Sequence, residues 1–332
     1  MGYAMSRAQM DHVLAELSER YDIWGPKVFV GEATFSDQDN IRYGKVKSLD
    51  EMELAMKSEY SFKEALLPIQ ENLFYFTEDQ VTVPSAPEKD LLIFLRSCDL
   101  HAVKRLDQIY LANGPEDFYY KRLREKTKFV LIPCHESCRS GFCVSMGTNR
   151  ADNYDLYVDA TGEQVLVDCK DEVLGAAFAA ACAEEKEVAP AYVKENYEKV
   201  NLPKHLSIAT NQNPIWSEIG PRCIECGRCN FVCPTCTCFT MQDIYYKENE
   251  QVGERRRVWA SCQVDGYDTI AGSIKFRKTK GDKLRFKVMH KIYDFEKRFG
   301  YPMCVGCGRC EDVCPEYISY ISIINRLAEE EQ

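Results

Sequence analysis

Two stretches decide how this chain is read: Cys223-Ile224-Glu225-Cys226-Gly227-Arg228-Cys229-Asn230-Phe231-Val232-Cys233-Pro234 and Cys304-Val305-Gly306-Cys307-Gly308-Arg309-Cys310-Glu311-Asp312-Val313-Cys314-Pro315. Each has the spacing C-x2-C-x2-C-x3-C-P, which ligates [4Fe–4S] clusters. Three cysteines at intervals of three on a tight turn place thiolates at three corners of one cubane, with the turn's backbone N–H groups aimed at its sulfurs. Gly227 and Gly308 let the backbone turn close to the cluster. The fourth cysteine is carried onward, and the proline opens the next segment. Zinc sites typically use separated cysteine pairs, so the tandem triplets argue against zinc.

In two-cluster ferredoxins the fourth thiolate of each run reaches the other cluster. The expected sets are therefore Cys223, Cys226, Cys229 and Cys314 for one [4Fe–4S] cluster, and Cys304, Cys307, Cys310 and Cys233 for the second. Arg228 and Arg309 hold equivalent places and read either as solvated turn residues or as counter-charges that raise the cluster potential. The spacer from Cys233 to Cys304 is far longer than a minimal ferredoxin needs and largely helical by pattern. It contains a basic amphipathic stretch, Lys283 to Phe299, closed by Gly300 and Pro302. The fold expected for residues 206–332 is a mainly α-helical two-cluster ferredoxin-type domain with a long insertion.

Around this domain, the chain of 332 residues carries 17 cysteines, 45% hydrophobic and 28% charged residues. That composition supports a packed core and excludes wholesale disorder. The N-terminus lacks an apolar signal region, and the runs Leu91 to Leu95 and Val173 to Cys182 are too short to span a bilayer. The thiols accordingly point to metal in a cytoplasmic protein rather than to a disulfide scaffold. Gly2 and Ser6 fit a loose myristoylation template, but no polybasic segment follows. A net charge of −10 argues against nucleic acid as the partner. Residues 241–299 nevertheless hold 14 Lys and Arg against 9 Asp and Glu, which reads as a solvated face or as a docking surface for an acidic partner.

Residues 1–205 read as an α/β domain. An amphipathic helix from Met10 to Tyr21 is expected to end near Gly25-Pro26. Strands are expected at Val28 to Val30, Leu73 to Phe76, Leu91 to Leu95 and Phe129 to Pro133, with helices at Asp99 to Tyr110 and Tyr120 to Lys126 between the last two. A hairpin pairs Tyr154 to Val158 with Gln164 to Val167, and helical patterns follow at Asp171 to Glu184 and Ala191 to Val200. Cys98 and Cys134 each fall just past a strand, where open α/β sheets bind ligands. With Cys138 and Cys143 they form a candidate third [4Fe–4S] site, weighed against ordinary reduced thiols. Cys169, Cys182, Cys236, Cys238 and Cys262 have no assigned role; free cysteines pack as small hydrophobes. His101 and His135 lie beside these thiols but read better as surface or core residues. Asp37, Asp39 and Asn40 read as an acidic turn, since the rest of a calcium loop is absent. There is no P-loop, no usable dinucleotide fingerprint and no H-E-x-x-H. The chain is expected to move electrons and to have no catalytic residue of its own.

Several further blocks carry a resemblance. They are Leu73 to Phe76, Cys98-Asp99-Leu100-His101-Ala102, Phe142 to Asn149, Cys233-Pro234-Thr235-Cys236-Thr237-Cys238, and Gly253 to Cys262. Together they resemble the iron–sulfur electron-transfer subunit of the anaerobic, siroheme-type sulfite reductases over nearly the whole chain. The β subunit of cytosolic NAD(P)-linked nickel–iron hydrogenases, the sulfhydrogenases, is similar in the same blocks. Ser145-Met146-Gly147-Thr148-Asn149 and Trp259-Ala260-Ser261-Cys262 tilt the resemblance towards sulfite reductase. That family implies two partners: a flavin- and NAD-binding subunit that oxidises NADH, and a siroheme-containing subunit that reduces sulfite to sulfide. In the family a cysteine usually precedes Phe142; here Gly141 stands there, and Cys138 lies three residues earlier. A redox-sensing regulator is the alternative class, for which two coupled clusters are more than is needed.

Overall fold

A computed structural model describes every residue except 34, 35, 182, 247, 249, 250, 331 and 332. In chain order its strands are β1 (Gly2–Met5), β2 (Tyr21–Phe29), β3 (Asn40–Lys45), β4 (Gln70–Phe76), β5 (Val81–Thr82), β6 (Asp90–Leu95) and β7 (Thr127–Leu131). There follow β8 (Leu156–Asp159), β9 (Val165–Cys169), β10 (Glu184–Glu185), β11 (Phe239–Tyr245), β12 (Gly253–Trp259), β13 (Thr269–Ile270) and β14 (Ile274–Lys275). The chain forms two compact units. The first comprises residues 1–67, 85–138 and 147–195; the second comprises 68–84, 139–146 and 196–332.

The first unit is built on an eight-stranded sheet in the order β10-β1-β9-β8-β7-β6-β2-β3. Its centre, β2-β6-β7-β8, is parallel, and β6 pairs with β7 from Leu91↔Thr127 to Leu95↔Leu131. Leu92 to Leu95 are completely buried, as a continuous apolar run in a covered parallel sheet requires. The helix Ser97–Tyr110 and the helix Phe118–Arg124 connect β6 to β7. β8 and β9 pair antiparallel, with Leu156 opposite Cys169.

Two sequence expectations fail in this unit. The first helix runs Arg7–Ser18, capped by a reciprocal Ser6–Gln9 box, and Tyr21 already belongs to β2. That strand passes through Gly25-Pro26, pairing Pro26 with Tyr43 on β3, while its pairing to β6 stops at Trp24. Pro26 therefore lies where one side of the strand needs no N–H donor. The helical pattern at Ala191 to Val200 forms no helix; here Ala191 instead receives Cys134 N–H on its carbonyl at 3.2 Å.

The second unit mixes α and β rather than being helical throughout. β11-β12-β4-β5 form an antiparallel sheet, in which Glu71 of β4 meets Arg257 of β12 at 2.7 Å, both side chains 8% exposed. The long spacer thus supplies a hairpin as well as a helix. These strands are hard to see in the sequence because they are charged: the β12 run Glu254-Arg255-Arg256-Arg257 lacks apolar alternation, and β11 is an exposed edge. The core of this unit gathers Trp216, Leu284, Val288, Ile292, Ile321 and Ile324, among others. The basic stretch is helical over Lys280–Met289, widens to a π turn at His290–Asp294, and resumes over Phe295–Phe299 before Gly300 ends it at φ 83°.

Candidate metal centres

The two cysteine runs share one backbone conformation. Glu225 and Gly306 have φ of 58° and 64°, and Gly227 and Gly308 have 75° and 71°. Each run thus turns through two left-handed residues before a short helix, Arg228–Phe231 or Arg309–Asp312. The N–H of Glu225 donates to Cys223 Sγ at 3.4 Å, and the N–H of Gly306 donates to Cys304 Sγ at the same distance. Ile318 N–H reaches Cys314 Sγ at 3.3 Å. Segment 139–146 packs on the second run, with Phe142 N–H donating to Gly306 O at 2.8 Å.

Cys223, Cys226, Cys229 and Cys314 line one solvent-open hollow. Burial raises the pKa of Cys223, and charge on Cys229, Cys226 and Cys314 would raise it further. The other four thiols are neighbours in the same way. Burial pushes Cys304 up to about 12, with Cys307 and Cys233 adding to the effect, and it raises Cys310, beside Cys307 and Cys304. The structure therefore brings together both sets of four named from the spacing. Cys310 also lines the hollow of the first set, so the two sets adjoin. Among the described residues no group of three or more His, Cys, Asp or Glu could hold a single metal ion. A cubane spreads its four ligands over four irons.

The surroundings suit anionic sulfur. Lys283, Lys287 and Lys291 follow one another at four-residue intervals and are only 3%, 6% and 3% exposed. Lys283 pairs with Glu225 and, at 2.9 Å, with Asp265. Burial penalises the Lys287 ammonium, yet the neighbouring sulfurs of Cys229, Cys310 and Cys236 more than offset the penalty. Lys291 Nζ donates to Thr235 Oγ1 at 2.6 Å and to Cys233 Sγ at 3.4 Å. Arg309 is 1% exposed, whereas Arg228 is half-buried. The basic helix, part of the stretch 241–299 expected as a solvated or docking face, thus buries its middle lysines. The four-residue spacing is visible in the sequence, but charge alone points it outward. Thiol ligands, N–H donors and buried cations together fit an iron–sulfur cluster in each set.

The remaining thiols fall into distinct environments. Cys262 accepts from Asn230 Nδ2 at 3.0 Å, and its hydrogen bond to Cys238 lowers the Cys238 pKa to about 6 against burial. Cys236 is buried beside Cys233. Cys169 is a packed core thiol that donates to Asp171 O at 3.1 Å; Cys182 lies outside the described residues. Cys98, Cys134 and Cys138 belong to the first unit and Cys143 to the second, where Val144 N–H beside it donates to Asn196 Oδ1 at 2.7 Å. In the first unit Arg96, 6% exposed, donates to Cys134 Sγ at 3.5 Å and to the carbonyls of Leu54, Ala55 and Met56. His135 Nε2 lies 2.9 Å from Asp159 Oδ2, and His101 Nε2 lies 2.7 Å from Arg150 O. Both histidines thus have oxygen partners. Asp39 Oδ1 accepts from Gly31 N–H at 3.1 Å, closing a turn.

Residues 222–318 match the 4Fe-4S dicluster domain family. The chain carries two [4Fe–4S] clusters. It is also 30% identical over 307 residues to the beta subunit of sulfhydrogenase 2 from Pyrococcus furiosus, an alignment covering 87% of this chain and 89% of the relative. The chain belongs to the sulfhydrogenase beta-subunit family. No solved structure matches it. Membership makes it an iron–sulfur electron-transfer subunit, and the likeness extends beyond the dicluster domain into the first unit. Among the described residues no helix is long and apolar enough to cross a membrane.

Proposed function

We propose that this chain relays electrons, one at a time, between a flavin partner that exchanges electrons with NAD(P)H and a catalytic metal partner of the nickel–iron hydrogenase type. One observation carries the relay: Cys310 of the second thiol set lines the hollow of the first, which makes the two centres neighbours. In this reading Cys223, Cys226, Cys229 and Cys314 hold one cluster, and Cys304, Cys307, Cys310 and Cys233 hold the other. The clusters supply one-electron transfer; the protein supplies thiolates, N–H···S bonds and buried ammonium groups. The sulfhydrogenase relative supports a hydrogenase partner. A second reading, a siroheme sulfite reductase partner, is favoured by the blocks Ser145 to Asn149 and Trp259 to Cys262. Assaying the native complex separates the two. Hydrogen-dependent NAD(P) reduction is expected, and NADH-dependent sulfite reduction without hydrogen activity would replace the first reading with the second.

A third cluster is a separate proposal, drawing on Cys98, Cys134 and Cys138 of the first unit. Arg96 supports it, because a buried guanidinium set against thiols and carbonyls suits anionic sulfur. Iron analysis of the native protein should then give about twelve irons per chain, falling by about four in Cys134→Ser. About eight irons in both proteins rejects it.

A further inference from the structure

The helix Lys280–Met289 and the π turn after it place three buried ammonium groups in a row, and their partners differ. Lys283 faces carboxylates, Glu225 and Asp265. Lys291 faces the thiol of Cys233 and the hydroxyl of Thr235, with Cys304 among its charged neighbours. Lys287 lines the same hollow as Cys229 of the first set and Cys310 of the second, and its nitrogen sits 5.9 Å from the Tyr320 ring centroid. A buried ammonium is costly unless anionic groups surround it. The thiols around the buried Lys287 come from both sets, Cys229 from the first and Cys310 from the second, with Cys236 beside them. Leu284 and Val288, its neighbours on the helix, belong to the apolar core of the unit, and Lys287 is buried with them, so the chain places a charge where an apolar residue would otherwise pack.

We infer that Lys287 is a shared electrostatic positioning residue, whose single positive charge raises the reduction potentials of both clusters, while Lys291 acts on one of them. This inference rests on the two-cluster reading above. An added electron on either cluster is stabilised by a nearby cation in a low-dielectric interior. One charge serving both centres keeps their potentials close together, which suits a relay that runs in either direction. The paired carboxylates of Lys283 cancel its field, so that lysine anchors the helix without a comparable effect.

The test is a redox titration of the purified holo-protein followed by EPR, with iron analysis on each sample. Lys287→Met keeps the stem and removes the charge. It should weaken reduction of both clusters at least tenfold, which is about 59 mV lower for each one-electron couple. Lys287→Arg should restore both potentials. Lys291→Met should lower one potential, and Lys283→Met neither by a comparable amount. With its iron content unchanged from the parent protein, a Lys287→Met protein in which only one of the two potentials moves, or neither, overturns the inference. Should Lys287→Met not hold its iron, Lys291→Met decides: one lowered potential supports a lysine field acting on the clusters, and two unchanged potentials reject it. Wild-type protein without iron would instead refute the two-cluster reading itself.

Discussion

Gly308 illustrates how much of the site is settled by single residues. Its φ of 71° is left-handed, and a Cβ there would lie 2.1 Å from the Ser140 carbonyl oxygen. The equivalent Gly227 would meet side chains, Val264 at 2.8 Å and Ser261 at 3.0 Å, which yield more readily than backbone. Gly308→Ala should therefore cost more than the left-handed penalty of about 1–2 kcal/mol, and more than Gly227→Ala. Thermal unfolding and iron content of the two variants check this; equal losses would show that the packing of segment 139–146 is unimportant. Cys238 allows a second test. Hydrogen bonds from Cys262 and Tyr267 favour its thiolate and bring its pKa to about 6, and the thiolate is the reactive form. Alkylation of Cys238 in the holo-protein should thus follow a midpoint near pH 6, and Cys262→Ala should move that midpoint upward. Mass spectrometry of the modified peptide across pH reads the result, and a midpoint near 9 in the parent protein would refute it.

At the scale of elements, legibility depends on whether burial and polarity agree. β6 is plain in the sequence because Leu91 to Leu95 is an unbroken apolar run, and the helix Ser97–Tyr110 because its apolar residues recur at helical spacing. The lysine-bearing helix is recognisable, but its charged residues read as outward-facing, since composition does not show that thiols wait on the inner side. β12 is hidden for a related reason: Arg257 points inward to Glu71, so a charge occupies a place that strand patterns reserve for apolar side chains. That ion pair gives the sheet a measurable signature. Breaking a buried ion pair by removing one partner costs about 3–5 kcal/mol, whereas replacing both by apolar residues of similar volume is often close to neutral. Glu71→Ala should be strongly destabilised in denaturant unfolding. The double variant Glu71→Leu with Arg257→Met should recover most of the loss, and equal destabilisation of single and double variants would contradict the account.

For the whole molecule, the cysteine spacing discloses the chemistry, but not the contributions of distant segments to the unit that holds it. Residues 68–84 and 139–146 join the second unit because β4 pairs with β12 and Phe142 N–H binds Gly306 O; such long-range pairings leave no local periodicity. The same architecture limits what the chain can do alone. Under the proposed assignment each cluster has four protein thiols for its four irons, which leaves no iron coordination position for a substrate. The histidines beside the thiols of the first unit, His101 and His135, are engaged by Arg150 O and Asp159. The isolated holo-protein should accordingly take up two electrons per chain from a strong reductant through the two assigned clusters, and return them to a one-electron acceptor. It should neither consume hydrogen nor reduce sulfite until its partners are restored. Stoichiometric titration followed by steady-state assays measures both properties, and turnover of either substrate by the chain alone would mean that one cluster lacks its fourth thiolate.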